Sequence, residues 1–200
     1  MTSGNNILIR FARAIVLYMV LISLSSFAGN EVNLNELMQG FAQIKSSQAK
    51  FTEKKYLRIL NKPLESSGTL SYKAPDHLEK RTLLPRLESI VLEQNQITVE
   101  NKAKNFNRTF GLQDYPLIGA FVESIRSTLA GDSNTLKKFY VIKLGGTMSD
   151  WRLLLQPINQ NMKAVISEIR INGGKNKIST IEVIETEGDR SVMKITEASE

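Results

Sequence analysis

The side chains that most often do chemistry are scarce in this chain. Its 200 residues hold no cysteine and a single histidine, His77. The usual zinc ligand sets, built from cysteine and several histidines, are therefore excluded. A serine hydrolase would have to use His77 as its base, and no Gly-x-Ser-x-Gly turn exists to present the serine. Glu65, Asp76, Glu79 and Glu88 are scattered carboxylates on polar strand faces. Two of them could in principle flank a glycosidic bond, but nothing in their spacing sets them apart from solvated charge. No glycine-rich phosphate loop is present. The expectation is a protein that is not an enzyme, with no catalytic residue, no metal and no cofactor.

What the chain carries instead is alternation. The stretch "AKFTEKKYLRILNKPLESSGTLSYKAP", residues 49–75, reads as two strands broken at Asn61-Lys62-Pro63. Phe51 to Leu60 is one strand and Leu64 to Tyr72 the next. His77 to Leu83, Glu88 to Glu93, Gln96 to Asn101 and Asn105 to Phe110 follow, with Pro85 and a Gln94-Asn95 turn between them. After an interruption come Phe139 to Leu144, Trp151 to Gln156, Ala164 to Asn172, Lys177 to Glu187 and Arg190 to Thr196. Gly145-Gly146 and Gly173-Gly174 read as hairpin turns. Short β-rich segments separated by turn residues signal an antiparallel meander. Ten or eleven such strands in a row must curl, close or sandwich. The expected fold is α+β, mainly antiparallel β, as a curved and partly open barrel covered by helices.

Two helices interrupt the pattern. Asn33 is placed to cap the first, and Leu34, Leu37, Met38, Phe41 and Ile44 form one apolar stripe along it. The second runs from about 117 to 130, after Pro116 and before Gly131, with Leu117, Phe121, Ile125 and Leu129 on one stripe and Ile118 and Val122 beside it. A helix this apolar must be covered or must cover something. Both a permanently docked helix and a mobile lid fit that description.

The N-terminus reads as a targeting segment. Arg10 and Arg13 precede the apolar run Ala14 to Leu24, and Ser26 and Ala28 form a small-x-small site. That is the pattern of a secretory signal cleaved near Ala28. The run is shorter than the ~20 residues that a spanning helix needs. The domains expected are a signal peptide over 1–28 and a single domain over 29–200. Removing the first 28 residues removes two arginines, so the formal charge of +6 falls to +4. Such a mild excess, without aromatics interleaved among basic residues, argues against nucleic acid. No cysteine is available for lipid attachment, so export implies a soluble periplasmic protein. A core of this size can hold a fold without disulfides.

Alternate strand residues collect on apolar faces. Phe51, Leu70, Tyr72, Leu78, Ile90, Leu92, Phe106, Phe110, Trp151, Leu153, Ile169 and Ile171 form one such set, to which the second helix adds Leu117, Phe121 and Ile125. They could line a cavity for an apolar ligand or simply fill a core; sequence alone does not separate the two.

The opening stretch resembles the periplasmic lipoprotein carrier family LolA. The resemblance rests on "AKFTEKK" (Ala49 to Lys55), "GTLSYKAP" (Gly68 to Pro75) and "ESIVLEQNQITVEN", in motif over about residues 49–100 and in layout over most of the mature chain. It implies a half-open antiparallel barrel closed by helices, with an apolar cavity that shelters acyl chains. It also implies the ferrying of lipoproteins from inner-membrane donor proteins to outer-membrane acceptor proteins, with transient membrane contact and no cofactor. Several positions depart from the family pattern. The arginine that ties the lid to the barrel is Ala74 here, beside a matching Lys73. Leu78 replaces an aromatic, Glu79 and Lys80 replace an Arg-Trp pair, and Glu93-Gln94-Asn95 replaces an Asp-Gly-Lys turn. The lid lock is thus absent unless Lys80 or Arg81 substitutes for it, and the cargo need not be a lipoprotein.

The expected function is a soluble periplasmic carrier that shelters lipoprotein or other lipid-type cargo in an apolar cavity and moves it between the two membranes. The alternative is a non-catalytic interaction module of an envelope or polysaccharide assembly complex, with a filled core. An envelope hydrolase using His77 is a weaker third.

Overall fold

The computed structural model of the chain describes residues 31–197; the expected signal peptide lies outside them. Eleven strands form one antiparallel sheet: β1 (Ser46–Tyr56), β2 (Leu64–Lys73), β3 (His77–Leu84), β4 (Glu88–Glu93), β5 (Gln96–Asn101), β6 (Phe106–Gly111), β7 (Tyr140–Thr147), β8 (Asp150–Pro157), β9 (Ile166–Gly174), β10 (Lys177–Glu185) and β11 (Arg190–Glu197). Their spatial order is β6-β5-β4-β3-β2-β1-β11-β10-β9-β8-β7. Except for β6 and β7, strands consecutive in sequence pair with each other, and β11 closes back onto β1. The sheet is open, with β6 and β7 as its two edges.

That order explains the inserted helices. β6 and β7 are consecutive in sequence yet lie at opposite edges, so the chain between them must cross the sheet. The crossing is made by α2 (Pro116–Ala130) and α3 (Ser133–Phe139); α1 (Leu34–Ala42) precedes β1, and the short α4 (Gln160–Lys163) joins β8 to β9. Asn33 caps α1, its side chain accepting from the Asn35 N–H at 2.8 Å. α2 starts with Pro116 and ends at Gly131, whose φ is +70. Gly131 also meets α1, where an added Cβ would sit 2.1 Å from the Met38 carbonyl oxygen. Only glycine suits that backbone conformation and that approach.

One register runs through the whole sheet, and it sorts the residues onto two faces. Phe51 stands opposite both Ile195 and Gly68. Tyr72 leads to Leu78, then Leu92, Ile97 and Phe110 across β3 to β6. On the other side Ile181 leads to Ile171, Leu153 and Leu144. This is the inner face, on which the helices pack.

The main core lies where β7 to β10 meet the helices. Leu37, Met38 and Phe41 of α1 and Leu136 of α3 pack there with Tyr140, Trp151, Leu153, Leu155, Met162, Ile169 and Ile171. Trp151 is fully buried, meets Phe41 edge-on at 5.7 Å, and donates its indole N–H to the Lys175 carbonyl at 2.8 Å. A smaller cluster of Leu92, Ile97 and Leu112 sits at the other end of the sheet.

Three sequence expectations are corrected. The double glycines are strand residues: the turns fall one step later, at Met148-Ser149 and Lys175-Asn176. Gly173 is needed instead because it lies opposite Trp151 in the register. Second, Phe139 ends a helix instead of starting a strand; α3 is seven residues long, too short to show a period. Its signal was the capping residue Asp132, whose carboxylate accepts from the Thr135 N–H at 3.0 Å. Third, β1 begins at Ser46 and stops at Tyr56, so Ile59 and Leu60 belong to the turn.

A Cβ at Gly173 would lie 2.4 Å from Trp151 Cζ2 and 2.0 Å from the Lys177 carbonyl oxygen. Gly173→Ala should therefore cost at least about 2 kcal/mol through overpacking, read as a lower urea midpoint with an unchanged slope. Near-native stability would mean that the Trp151 contact is looser than described.

Candidate functional site

The helices cover only one half of the inner face. Over β7 to β10 nothing apolar is left open: Trp151, Leu153, Ile169 and Ile171 are at most 1% exposed. These four expected ligand contacts belong to a packed core.

The other half, β1 to β6, is covered unevenly: Phe51, Tyr72, Leu92, Ile97 and Asn101 are buried, while Ile90 and Phe106 are open. Its first row is Tyr72–Leu78–Leu92–Ile97–Phe110, closed over by Leu112 and by Val122 of α2. The next is Leu70–Lys80–Ile90–Val99–Arg108, and the third is Phe51–Gly68–Thr82–Glu88, continued by Asn101 and Phe106. Ile90 is 37% and Phe106 39% exposed. We call this partly uncovered strip of the inner face the trough; it is apolar beneath α2 and becomes more polar away from it. All twelve strand residues singled out from the sequence share this inner face; eight of them, those of β1 to β6, belong to the half that holds the trough.

α2 does not bury the stripe its sequence suggests. Its buried residues are Ala120, Ser124, Ser127 and Thr128. Ser124 and Thr128 satisfy their hydroxyls on the helix's own carbonyls, at 2.6 and 2.7 Å to Phe121 and Ser124. Tyr140 donates its hydroxyl to the Ala120 carbonyl at 3.2 Å. Burial pushes the Tyr140 phenol up to about 12, against a smaller opposing effect of the Ser124 hydroxyl. Phe121 and Ile125 lie half-buried against the main core, while Leu117 is 37% exposed. Thus the fully buried face of α2 is small and polar, flanked by Phe121, Val122 and Ile125, and Leu117 and Ile118 are left exposed at its start. Arg126 reaches from it to the β4–β5 turn, donating to Asn95 Oδ1 at 3.0 Å.

The inner face also holds a charge pair, Glu53 with Lys80. Glu53 shares the parity of Phe51 and so points inward. Its Oε2 accepts from Lys80 Nζ at 2.5 Å and from Ser66 Oγ at 3.4 Å, and its Oε1 accepts from Ser191 Oγ at 2.5 Å. The Lys80 ammonium lies 5.0 Å from the Phe51 ring centroid. Burial raises the Glu53 pKa, but the Lys80 charge and the bonds from Lys80, Ser191 and Ser66 together outweigh it and hold the carboxyl below its ordinary value. Lys80 is therefore tied to β1 and does not lock α2, and Arg81 has the opposite parity. The signal for Glu53 was present in the alternation itself.

The scattered acids and His77 take ordinary places. His77 Nδ1 is 3.6 Å from the Glu93 carboxylate, and Glu65 pairs with Lys54 at 2.8 Å on the outer face. A shallow depression of about 360 Å³ lies around β1, β2 and β11. Most of its lining, Lys50, Thr52, Ser67, Thr69, Lys194 and Thr196, has the outward parity, so it lies on the outer face, away from Ile90 and Phe106.

A family model described as "Outer membrane lipoprotein carrier protein LolA-like" matches residues 26–200. Among solved structures the chain is similar to a LolA superfamily protein from Nitrosomonas europaea, at 10% identity and a TM-score of 0.46 over 84% of this chain and 94% of that one. It is also similar to a putative outer membrane lipoprotein-sorting protein domain from Vibrio parahaemolyticus, at 8% identity and a TM-score of 0.42 over 82% and 89%. A chain of the Pseudomonas aeruginosa MucA/MucB complex aligns at 11% identity and a TM-score of 0.39 over 82% and 54%. A comparison with curated proteins finds no match.

Because the folded-state pKa of Glu53 is depressed, its stabilisation is present above the unfolded value, near 4.5, and is lost as pH falls through the folded value. Glu53→Gln should cost about 1–3 kcal/mol at pH 7. In urea titrations the gap between variant and parent should close as pH is lowered below about 4.5. A gap independent of pH would show that the carboxylate is not the stabilising species.

Proposed function

We propose, on the premise that this chain belongs to the outer membrane lipoprotein carrier protein LolA-like family, that it is a non-enzymatic periplasmic carrier of acyl-chain cargo. The cargo is a lipoprotein or another lipid-type molecule, taken from an inner-membrane donor and passed to an outer-membrane acceptor. The observation that carries this reading is the uncovered trough over β3 to β6, where Ile90 and Phe106 stay open on the same face that elsewhere is sealed.

The energetics suit a shuttle. Each methylene removed from water contributes about 0.8 kcal/mol, so a chain of ~14 carbons gains on the order of 10 kcal/mol, close to its gain in a bilayer. Transfer between the two is then nearly neutral, and small changes in cover decide its direction. α2 suits the role of cover. Its fully buried residues are small or hydroxyl-bearing, with Phe121, Val122 and Ile125 packed beside them, and its link to the β4–β5 turn is one exposed hydrogen bond from Arg126 to Asn95.

A second reading is favoured by the sealed half of the face. A sheet filled over β7 to β10 also suits an interaction module of an envelope assembly complex, with the trough as the seat of a protein segment.

The two readings separate by experiment. Protein purified from the periplasm should carry lipid in native mass spectrometry and should take up a fluorescent fatty acid. Ile90→Asp, which sets an unpaired charge on the trough floor, should weaken that uptake about tenfold or more. A parent protein that neither co-purifies with lipid nor takes up the probe would favour the interaction module.

A further inference from the structure

The trough contains a cation that the carrier reading does not require. Lys80 sits in the middle row of the inner face, between Leu70 on β2 and Ile90 on β4, and beside Phe51. Its side chain is 28% exposed, against 18% for Glu53. An ammonium has three donors, and the described contacts use one of them, on Glu53 Oε2. Glu53 is held in turn by Ser66 and Ser191 from the strands on either side of β1. The lysine is thus fixed by a braced carboxylate, with donors left for a further acceptor, where the apolar floor meets the polar rim.

We propose that Lys80 seats the anionic head of the cargo, so that the site selects an acyl chain bearing a carboxylate or a phosphate at one end. This rests on the carrier reading. The chain would lie along the floor toward Val122 and the head would reach the ammonium at the rim. The partly desolvated setting strengthens a charge-assisted hydrogen bond relative to water. Glu53 positions the lysine and also competes with the ligand for it. Removing the two partners should therefore have opposite effects on binding, whereas a purely structural ion pair would give effects of the same sign.

The test uses the mature protein with hexadecanoic acid, hexadecyl phosphate and hexadecanol, each below its aggregation concentration, displacing a neutral fluorescent probe. The acid and the phosphate should bind roughly tenfold tighter than the alcohol, as one charge-assisted hydrogen bond predicts. Lys80→Met should abolish that preference while keeping affinity for the alcohol, and Lys80→Arg should retain it. Glu53→Gln should bind the anions several-fold tighter than the parent. Equal binding of all three ligands by the parent would overturn the head assignment and leave acyl carriage standing. Weaker anion binding by a folded Glu53→Gln variant would also overturn it. Binding of none of the three would overturn the carrier reading together with this one.

Discussion

The governing constraint is that this sheet has more apolar inner face than its helices can cover. Eleven strands have ten gaps of about 4.8 Å between them, on the order of 48 Å of sheet measured along the curve. The longest helix, α2, has 15 residues and is about 22 Å long. The topology forces it onto the inner face, because β6 and β7 are consecutive in sequence but occupy opposite edges. With α1 and α3 it seals the half nearer β7. The half nearer β6 keeps an open floor, and the proposed function rests on that shortfall.

The two halves are stabilised differently. The sealed half is held by burial around Trp151, Phe41 and Leu37. The open half has a small apolar cluster at the covered end and charge at the other. A pair such as Glu53 and Lys80 is costly to desolvate, and a pair of apolar side chains would often stabilise as well. What makes the pair tolerable is its bracing: two serine hydroxyls complete the carboxylate's acceptors, and the ammonium keeps partial access to water. Outer-face pairs such as Lys54 and Glu65, both more than half exposed, contribute little each.

In the proposed carrier role the trough floor supplies the hydrophobic term. α2 buries Ala120, Ser124, Ser127 and Thr128 and packs Phe121 and Ile125 on the main core and Val122 on the smaller cluster. α2 is docked along one side and leaves Leu117 and Ile118 open at its start.

What the sequence determined by itself was local. β4 and β5 were legible to the residue, because Gln94 and Asn95 take the positive φ of a two-residue turn, 47° and 67°. Strand parity was equally legible, since alternation has a period of two and depends on no distant contact; hence the common face of Phe51, Leu92, Phe110 and Trp151. The Gly173-Gly174 pair misled because Gly173 is required by the Trp151 ring and Gly174 by the Ser149 carbonyl, not by a turn. The inward place of Glu53 was in the alternation, but its partner Lys80 lies 27 positions away and met it only through the pairing of β1, β2 and β3. Which apolar residues became core and which stayed open was decided by tertiary structure alone. That outcome depends on where the β6–β7 crossing lays its helices, and no local pattern in a strand records what will be packed above it.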